Sequence, residues 1–237
     1  MKRYFRSKSR VFGSLAQPLL FLVALGYGLG PVFQKAGEGN YVQFLVPGVI
    51  GMAIIFSSVF SGIEIIWDKQ FGFLKETLVA PVSRVNIMIG RTLGGATTAT
   101  MQGLIVLLLS TVVGFRIENI MSLGSAILLM LLIALLFTAF GTLIATQLDD
   151  MQGFQLIVNF LIMPLFFLSG ALFPLNGLPK ILALFTHIDP LSYGIDAFRA
   201  VLGGVSAFGL GLDLTVLSVI TIVLISLGGY LFSKIQI

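Results

Sequence analysis

Six stretches of the chain carry no Asp, Glu, Lys or Arg: residues 11–34, 39–63, 92–115, 119–148, 151–179 and 214–233. A helix rises ~1.5 Å per residue, so about 20 residues cross the ~30 Å hydrocarbon layer of a bilayer. Inside the runs apolar and polar positions do not alternate with period two, which argues against a transmembrane β-barrel. The pattern predicts an all-α polytopic membrane protein with six transmembrane helices, at about residues 11–33, 42–66, 92–115, 120–147, 152–173 and 213–233. The first run is too long, and too poor in a small-residue cleavage site, to read as a removable signal peptide. The chain reads as a single domain over residues 1–237.

Three connections between runs are short, and two are long: residues 67–91 and 173–213. The first contains "WDKQFGFLKETLVAPVSR". Residues 71–79 can form a short helix with Phe71, Leu74, Leu78 and Val79 on one stripe and Lys75 and Glu76 beside it. Pro81 ends it, because proline lacks an N–H and disfavours a helical residue before it. Such a helix can lie on lipid headgroups or insert its apolar side into a groove on a soluble partner. Asp68 and Glu76 dilute the positive charge that anionic lipid rewards, which favours a protein partner.

The second long connection holds two helical patterns. Ile181, Leu184, Phe185 and Ile188 form one apolar stripe; Leu191, Ile195, Phe198 and Leu202 form another. Between them Asp189 and Pro190 are a helix-start pair, the carboxylate capping and the proline occupying the first turn. Asp196 and Arg199 are three apart and are expected to pair on a polar face. The expectation is a re-entrant helix–break–helix hairpin over about residues 177–203, dipping into one leaflet with its backbone covered by protein.

Composition sharpens the reading. Hydrophobic residues make up 57% of the 237 and charged residues 10%, against roughly 25% charged in a soluble domain. Mean hydropathy is +1.05. Lipid is the solvent this composition requires. There are no cysteines, so disulfides and thiolate metal sites are excluded. The net charge of +4 sits at the ends of apolar runs rather than on one face, which suits membrane topology and not nucleic acid. With the N-terminus inside, the cytoplasmic side receives Lys2, Arg3, Arg6, Lys8, Arg10, Lys69, Lys75, Arg84, Arg91 and Lys234. The other side receives Lys35, Arg116, Lys180 and Arg199. Both termini are expected to be cytoplasmic and the hairpin external.

Catalytic chemistry finds no footing. His187 and Asp189 diverge on a helix, Ser169 and Ser192 have no base in register, and no H-E-x-x-H spacing occurs. No cofactor is expected, and no G-x-x-x-x-G-K-[ST] loop is available to cradle ATP. An ion-coupled carrier keeps ionisable residues at membrane depth. Here Glu64, near one end of the second run, is the main exception. Gln17, Gln43, Gln102 and Asn159, and the spacing Gly90-x-x-x-Gly94, read mostly as helix contacts. A transporter of this kind needs an outside motor.

Four stretches carry a resemblance: "QPLLFLVALGYGLGPVF", "FLVPGVIG", "DKQFGFLKETLVAPVSR" and "NFLIMPLFFLSGALFPLNGLPKILALFTHIDPLSYGIDAFRAVL". The chain resembles the membrane (permease) subunit of type-2 ATP-binding cassette exporters, of the daunorubicin or drug-resistance type. The resemblance implies a non-enzymatic half-transporter in a prokaryotic plasma membrane, pairing as a homodimer or heterodimer and binding a separate ATPase subunit. It implies a cytoplasmic coupling helix at about residues 71–80, with Asp68, Phe71, Gly72, Leu74, Glu76, Pro81 and Arg84 at the ATPase contact. It implies an external gate with Ser169, Gly170, Pro174, Asp189, Pro190, Asp196 and Arg199. The expected cargo is hydrophobic or amphipathic, drug-like or lipid-like. A polysaccharide or lipid-linked glycan permease of the same superfamily is the alternative, and a scaffold or channel without an ATPase a distant one. Family members begin with a longer cytoplasmic segment; only residues 1–10 precede the first run here, which implies a misassigned start or a reduced interface.

Overall fold

The computed structural model describes residues 8–35, 39–73, 81–117, 120–175 and 178–234. Among these residues there are nine helices and no strands. They are α1 Lys8–Lys35, α2 Tyr41–Phe60, α3 Ile63–Gln70, α4 Arg84–Val113, α5 Ser122–Gln147, α6 Met151–Leu168, α7 Lys180–Ile188, α8 Pro190–Gly203 and α9 Leu210–Ser233. Six segments are long and apolar enough to cross a membrane: Leu15–Lys35, Tyr41–Gln70 (α2 and α3 together), Arg84–Val113, Ser122–Gln147, Met151–Leu168 and Leu210–Ser233.

The helices begin where capping chemistry allows. Asn40 Oδ1 accepts from Val42 N at 3.0 Å and opens α2. Ser83 Oγ accepts from Asn86 N at 3.2 Å and opens α4 at Arg84, so the helix starts well before the charge-free run. Asp150 Oδ1 accepts from Gly153 N at 2.5 Å and opens α6. Each cap closes one of the four N–H groups that a helix start leaves open. Pro18 and Pro31 lie inside α1, Pro47 in α2 and Pro164 in α6; membrane helices tolerate such breaks because neighbours re-satisfy the freed groups.

α2 and α5 form the centre. α2 packs on α1, α4 and α5, while α5 also packs on α4 and α9. Small residues set how closely they approach. A Cβ placed on Gly141 of α5 would stand 2.5 Å from Val59 O, and one on Gly62 would stand 2.6 Å from Gly141 O. Backbone therefore touches backbone where α2 breaks into α3. Gly95 of α4 meets the same place, lying against Ser61 and Thr138. Without a hydrophobic drive between helices in lipid, such close van der Waals contact is what holds them.

Gly141→Val should force α2 and α5 apart and destabilise the folded chain by about 1–3 kcal/mol. Gly124→Ala, where a Cβ meets nothing within 4 Å, should change stability by no more than about 0.5 kcal/mol. Thermal unfolding of both variants in one detergent checks the contrast.

Candidate functional site at the two ends of the bundle

The charged side chains are gathered at the two ends. At one end α3 is fastened to its neighbours through backbone carbonyls. Lys69 Nζ donates to Thr146 O at 2.8 Å and Leu148 O at 3.0 Å, and pairs with Asp149 Oδ1 at 3.2 Å. A cation on the last carbonyls of α5 both satisfies them and complements the helix dipole. Gln70 Nε2 donates to Asp149 O at 3.0 Å, and Trp67 Nε1 donates to Met151 Sδ. Arg84 donates to Ser233 O at 2.9 Å, closing the end of α9. Asp68 is ion-paired to Arg91 of α4, with both side chains largely shielded.

Asp68 and Arg84, expected to face an ATPase, thus hold the frame of the bundle. Several large apolar side chains at this end nevertheless remain exposed. Phe71 is 71% exposed and Phe73 55%, with Trp67, Val82 and Val85 also exposed. Gly72, at φ +78°, turns the chain away from α3, a conformation that disfavours any residue with a Cβ. Pro81 is exposed where the chain returns to α4. Leu74 and Glu76, with the remainder of the segment to residue 80, lie outside the described residues.

At the opposite end a turn at residues 169–175 is bolted to the start of α2. Ser169 is buried, and its hydroxyl donates to Phe166 O at 2.7 Å. Gly170 takes φ +73°. Its carbonyl accepts from Arg199 at 2.7 Å, while the Arg199 guanidinium lies 3.9 Å over the Phe44 ring. Tyr41 Oη donates to Leu172 O at 3.0 Å. A Cβ on Gly48 would meet Ala171 O at 2.5 Å, so only glycine lets the turn lie on α2. Pro174 is half-buried in the same turn.

α8 is wedged against α2, α5 and α9. Asp189 caps it, accepting from Leu191 N at 2.9 Å and Ser192 Oγ at 3.4 Å, and Pro190 occupies the first position, as its sequence indicates. Burial pushes the Asp189 carboxyl up to about 7 against the pull of those two bonds. Burial also draws Arg199 down to about 10, with Asp196 and Tyr41 opposing.

The expected Asp196–Arg199 pair is not formed. The polar face assumed for α8 is buried, and each charge has a backbone partner within reach. Asp196 accepts from Ser206 Oγ at 2.7 Å, Ala207 N at 2.8 Å and Phe208 N at 2.8 Å, closing the turn between α8 and α9. Arg199 holds the 169–175 turn instead. His187 packs its ring 5.1 Å from Phe208, and its carbonyl accepts from Tyr193 Oη at 2.8 Å. α7 buries only Thr186 and exposes Ile181, Leu184, Phe185 and Ile188. Asp213, in the first turn of α9, is fully buried and neither of its oxygens meets a donor. In the sequence it is only a single acid at the head of the last apolar run, where it marks the boundary of that span.

Six helices long and apolar enough to cross a bilayer, with their charged side chains near the ends, define a multi-pass membrane protein. The chain belongs to the ABC-2 type transporter family, whose description matches residues 1–202. It is 30% identical over 210 residues to a transport permease designated ycf38 from Cyanophora paradoxa, covering 84% of this chain and 71% of that one. It is 27% identical over 206 residues to nodulation protein J of Rhizobium meliloti, covering 86% and 78%. It is 30% identical over 204 residues to a Mycobacterium tuberculosis protein named as the doxorubicin resistance ABC transporter permease DrrC, covering 84% and 72%. The chain is accordingly a permease subunit of an ABC transporter.

Two outcomes follow from this geometry. Lys69→Met should leave the α5 carbonyls open and cost about 1–3 kcal/mol of stability, read as a lower unfolding midpoint. For Asp189 the folded value lies above the ordinary 3.8. Its contribution to stability is therefore full below about pH 4 and is lost as pH rises toward about 7. Asp189→Asn keeps the cap and removes the titration. The wild-type unfolding midpoint, measured relative to that variant, should fall between about pH 4 and about pH 7.

Proposed function

We propose that the chain is the permease half of an ATP-driven exporter, with both termini cytoplasmic and a separate ATPase docked at the α3 end. The observation that carries this reading is the contrast at that end. α3 is fixed to α4, α5 and α6 by Asp68, Lys69, Gln70 and Trp67. Beside that rigid frame Phe71, Phe73, Val82 and Val85 are exposed. An apolar patch on a fixed support is what a partner with a hydrophobic cleft recognises. Segment 71–80 is the coupling element, and Glu76 its polar contact. ATP-driven closure of two ATPase copies pushes on this segment, and the packed helices respond as rigid bodies.

A second permease copy meets the α1/α6 face. Phe21 of α1 and Phe166 of α6 are in edge-to-face contact at 6.4 Å, so the two helices meet at that point. Both are mostly exposed, presenting Leu20, Tyr27, Val32, Leu156, Phe160 and Phe167. A cleft lined this way favours a hydrophobic or amphipathic cargo, since the polar groups of a sugar or ion would go unpaired there. The similarity to a doxorubicin-resistance permease agrees with that class of cargo. The α7–α8 hairpin lies at the exit side, where it gates release.

The test is affinity purification of the tagged chain from its native membrane, with mass spectrometry for a stoichiometric Walker-type ATPase. Phe71→Asp and Glu76→Arg should each lower recovery of that ATPase by about tenfold, the equivalent of about 1.4 kcal/mol, and abolish export at equal expression. Recovery of the intact permease alone across several detergents would overturn the reading.

A further inference from the structure

Amides inside the spans divide into those the chain satisfies and those it does not. Gln43 exchanges two hydrogen bonds with the backbone of Arg116, and Gln102 is buried in the bundle. Exposed threonines return their hydroxyls to their own helix, Thr97 to Leu93 O at 2.7 Å and Thr98 to Gly94 O at 3.0 Å. Gln152, Gln155 and Asn159 of α6 do neither. All three side chains are exposed, and none has a hydrogen-bond partner among the described residues.

At about 100° per residue the three fall within about 60° of arc, so they form one stripe. It starts in the first turn of α6 and climbs to Asn159, at the middle of the 18-residue helix. Gln152 can reach headgroup water. Asn159 cannot, being about 12 Å along a helix about 27 Å long at ~1.5 Å per residue. Hydrocarbon offers it neither donor nor acceptor. Gln17 of α1 is exposed and unpaired in the same way, one turn before Phe21 on the side of that helix which meets α6.

The chemistry of the stripe says what covers it. α6 carries no charged residue, so neither an ion nor a charged headgroup is called for. A cargo molecule supplies polar groups only while it is bound and leaves the amides bare at every other stage. An amide both donates and accepts, so the stripe is complementary to a copy of itself. In a two-fold pair whose helices cross the membrane in the same sense, equivalent residues face each other across the axis, and Asn159 meets the partner's Asn159.

We infer that Gln152, Gln155 and Asn159 form the seam along which α6 pairs with the same helix of a second copy, with Asn159 as its central hydrogen bond. The inference rests on the proposed meeting of two copies at the α1/α6 face and narrows it to one stripe. Leu156, Phe160 and Phe167 lie beside the stripe rather than on it, so pairing leaves them available to line the cleft. The seam also fixes register. An apolar face slides freely, whereas a displaced amide loses its partner.

The chain has no cysteine, so a single introduced thiol reports its own surroundings. Met163→Cys lies one turn beyond Asn159 on the same side, and Ile157→Cys on the side of α6 away from the stripe; both positions are exposed. Each full-length variant is oxidised in native membranes at equal expression, and single-molecule colocalisation of two fluorescent fusions counts copies independently. Met163→Cys is expected to give the disulfide-linked pair, and Ile157→Cys to lose it. Adding Asn159→Leu to Met163→Cys should lower the yield of linked pair by about tenfold, and Asn159→Gln, which keeps an amide, should restore it to within about twofold. Paired chains without a Met163→Cys link, equal linking at Ile157→Cys, or linking that Asn159→Leu leaves unchanged would each overturn the seam while the wider two-copy reading stands. In the last case, loss of export with Asn159→Leu would assign the stripe to cargo. Chains that never pair would overturn both. Should Asn159→Leu fail to accumulate, the contrast between the two thiols decides alone.

Discussion

A helix that ends beside lipid leaves four carbonyls or four N–H groups without partners, and water is not freely available to take them. The architecture of this chain is organised around closing those ends. Lys69 serves the end of α5, Arg84 the end of α9, and Arg199 and Tyr41 the turn after α6. Gln43 bridges both backbone groups of Arg116 after α4, donating at 2.6 Å and accepting at 3.1 Å. Charged side chains that look available for function in the sequence are largely taken up by backbone. This is why the described residues hold only two ion pairs, Lys69–Asp149 and Arg91–Asp68.

That constraint separates support from contact at each end of the bundle. At the α3 end Asp68, Lys69 and Arg84 build the frame, and Phe71, Phe73, Val82 and Val85 stay exposed beside it. At the hairpin end the polar residues lie inward, and α7 shows its apolar side. The proposed docking of a separate ATPase would draw on such a division, because a docking surface is useful only if the helices behind it do not yield.

How far the sequence could be read follows from the range of the interactions. The six spans were legible because hydrophobic runs of bilayer length depend only on local composition, and the Asp189–Pro190 start depends on neighbours two and three residues away. Asp196–Arg199 was misread because spacing on a helix assumes a solvated face. Whether α8 has one is decided by α2, α5 and α9, and the turn at 206–208 lies near enough to compete. Asp68 found Arg91 twenty-three residues away, and Arg84 found a carbonyl 149 residues away. No periodicity records contacts of that length. Asp213 went unnoticed for the same reason, since its burial is a property of the helices around it.

The way α3 is fixed has a mechanical consequence. It is a single short helix of 8 residues, about 12 Å long at ~1.5 Å per residue, set just beyond the backbone contact of Gly62 with Gly141 and tied at its far end to α5 and α6. A rod pinned at both ends cannot swing; it acts as a strut. Under the proposed docking, force applied at Phe71 would therefore be delivered as displacement of α5 and α6 together, rather than absorbed as bending where α2 breaks. Under that proposal, stroke length at the hairpin end would be set by how far those two helices can slide, and any slack in the strut would be stroke lost.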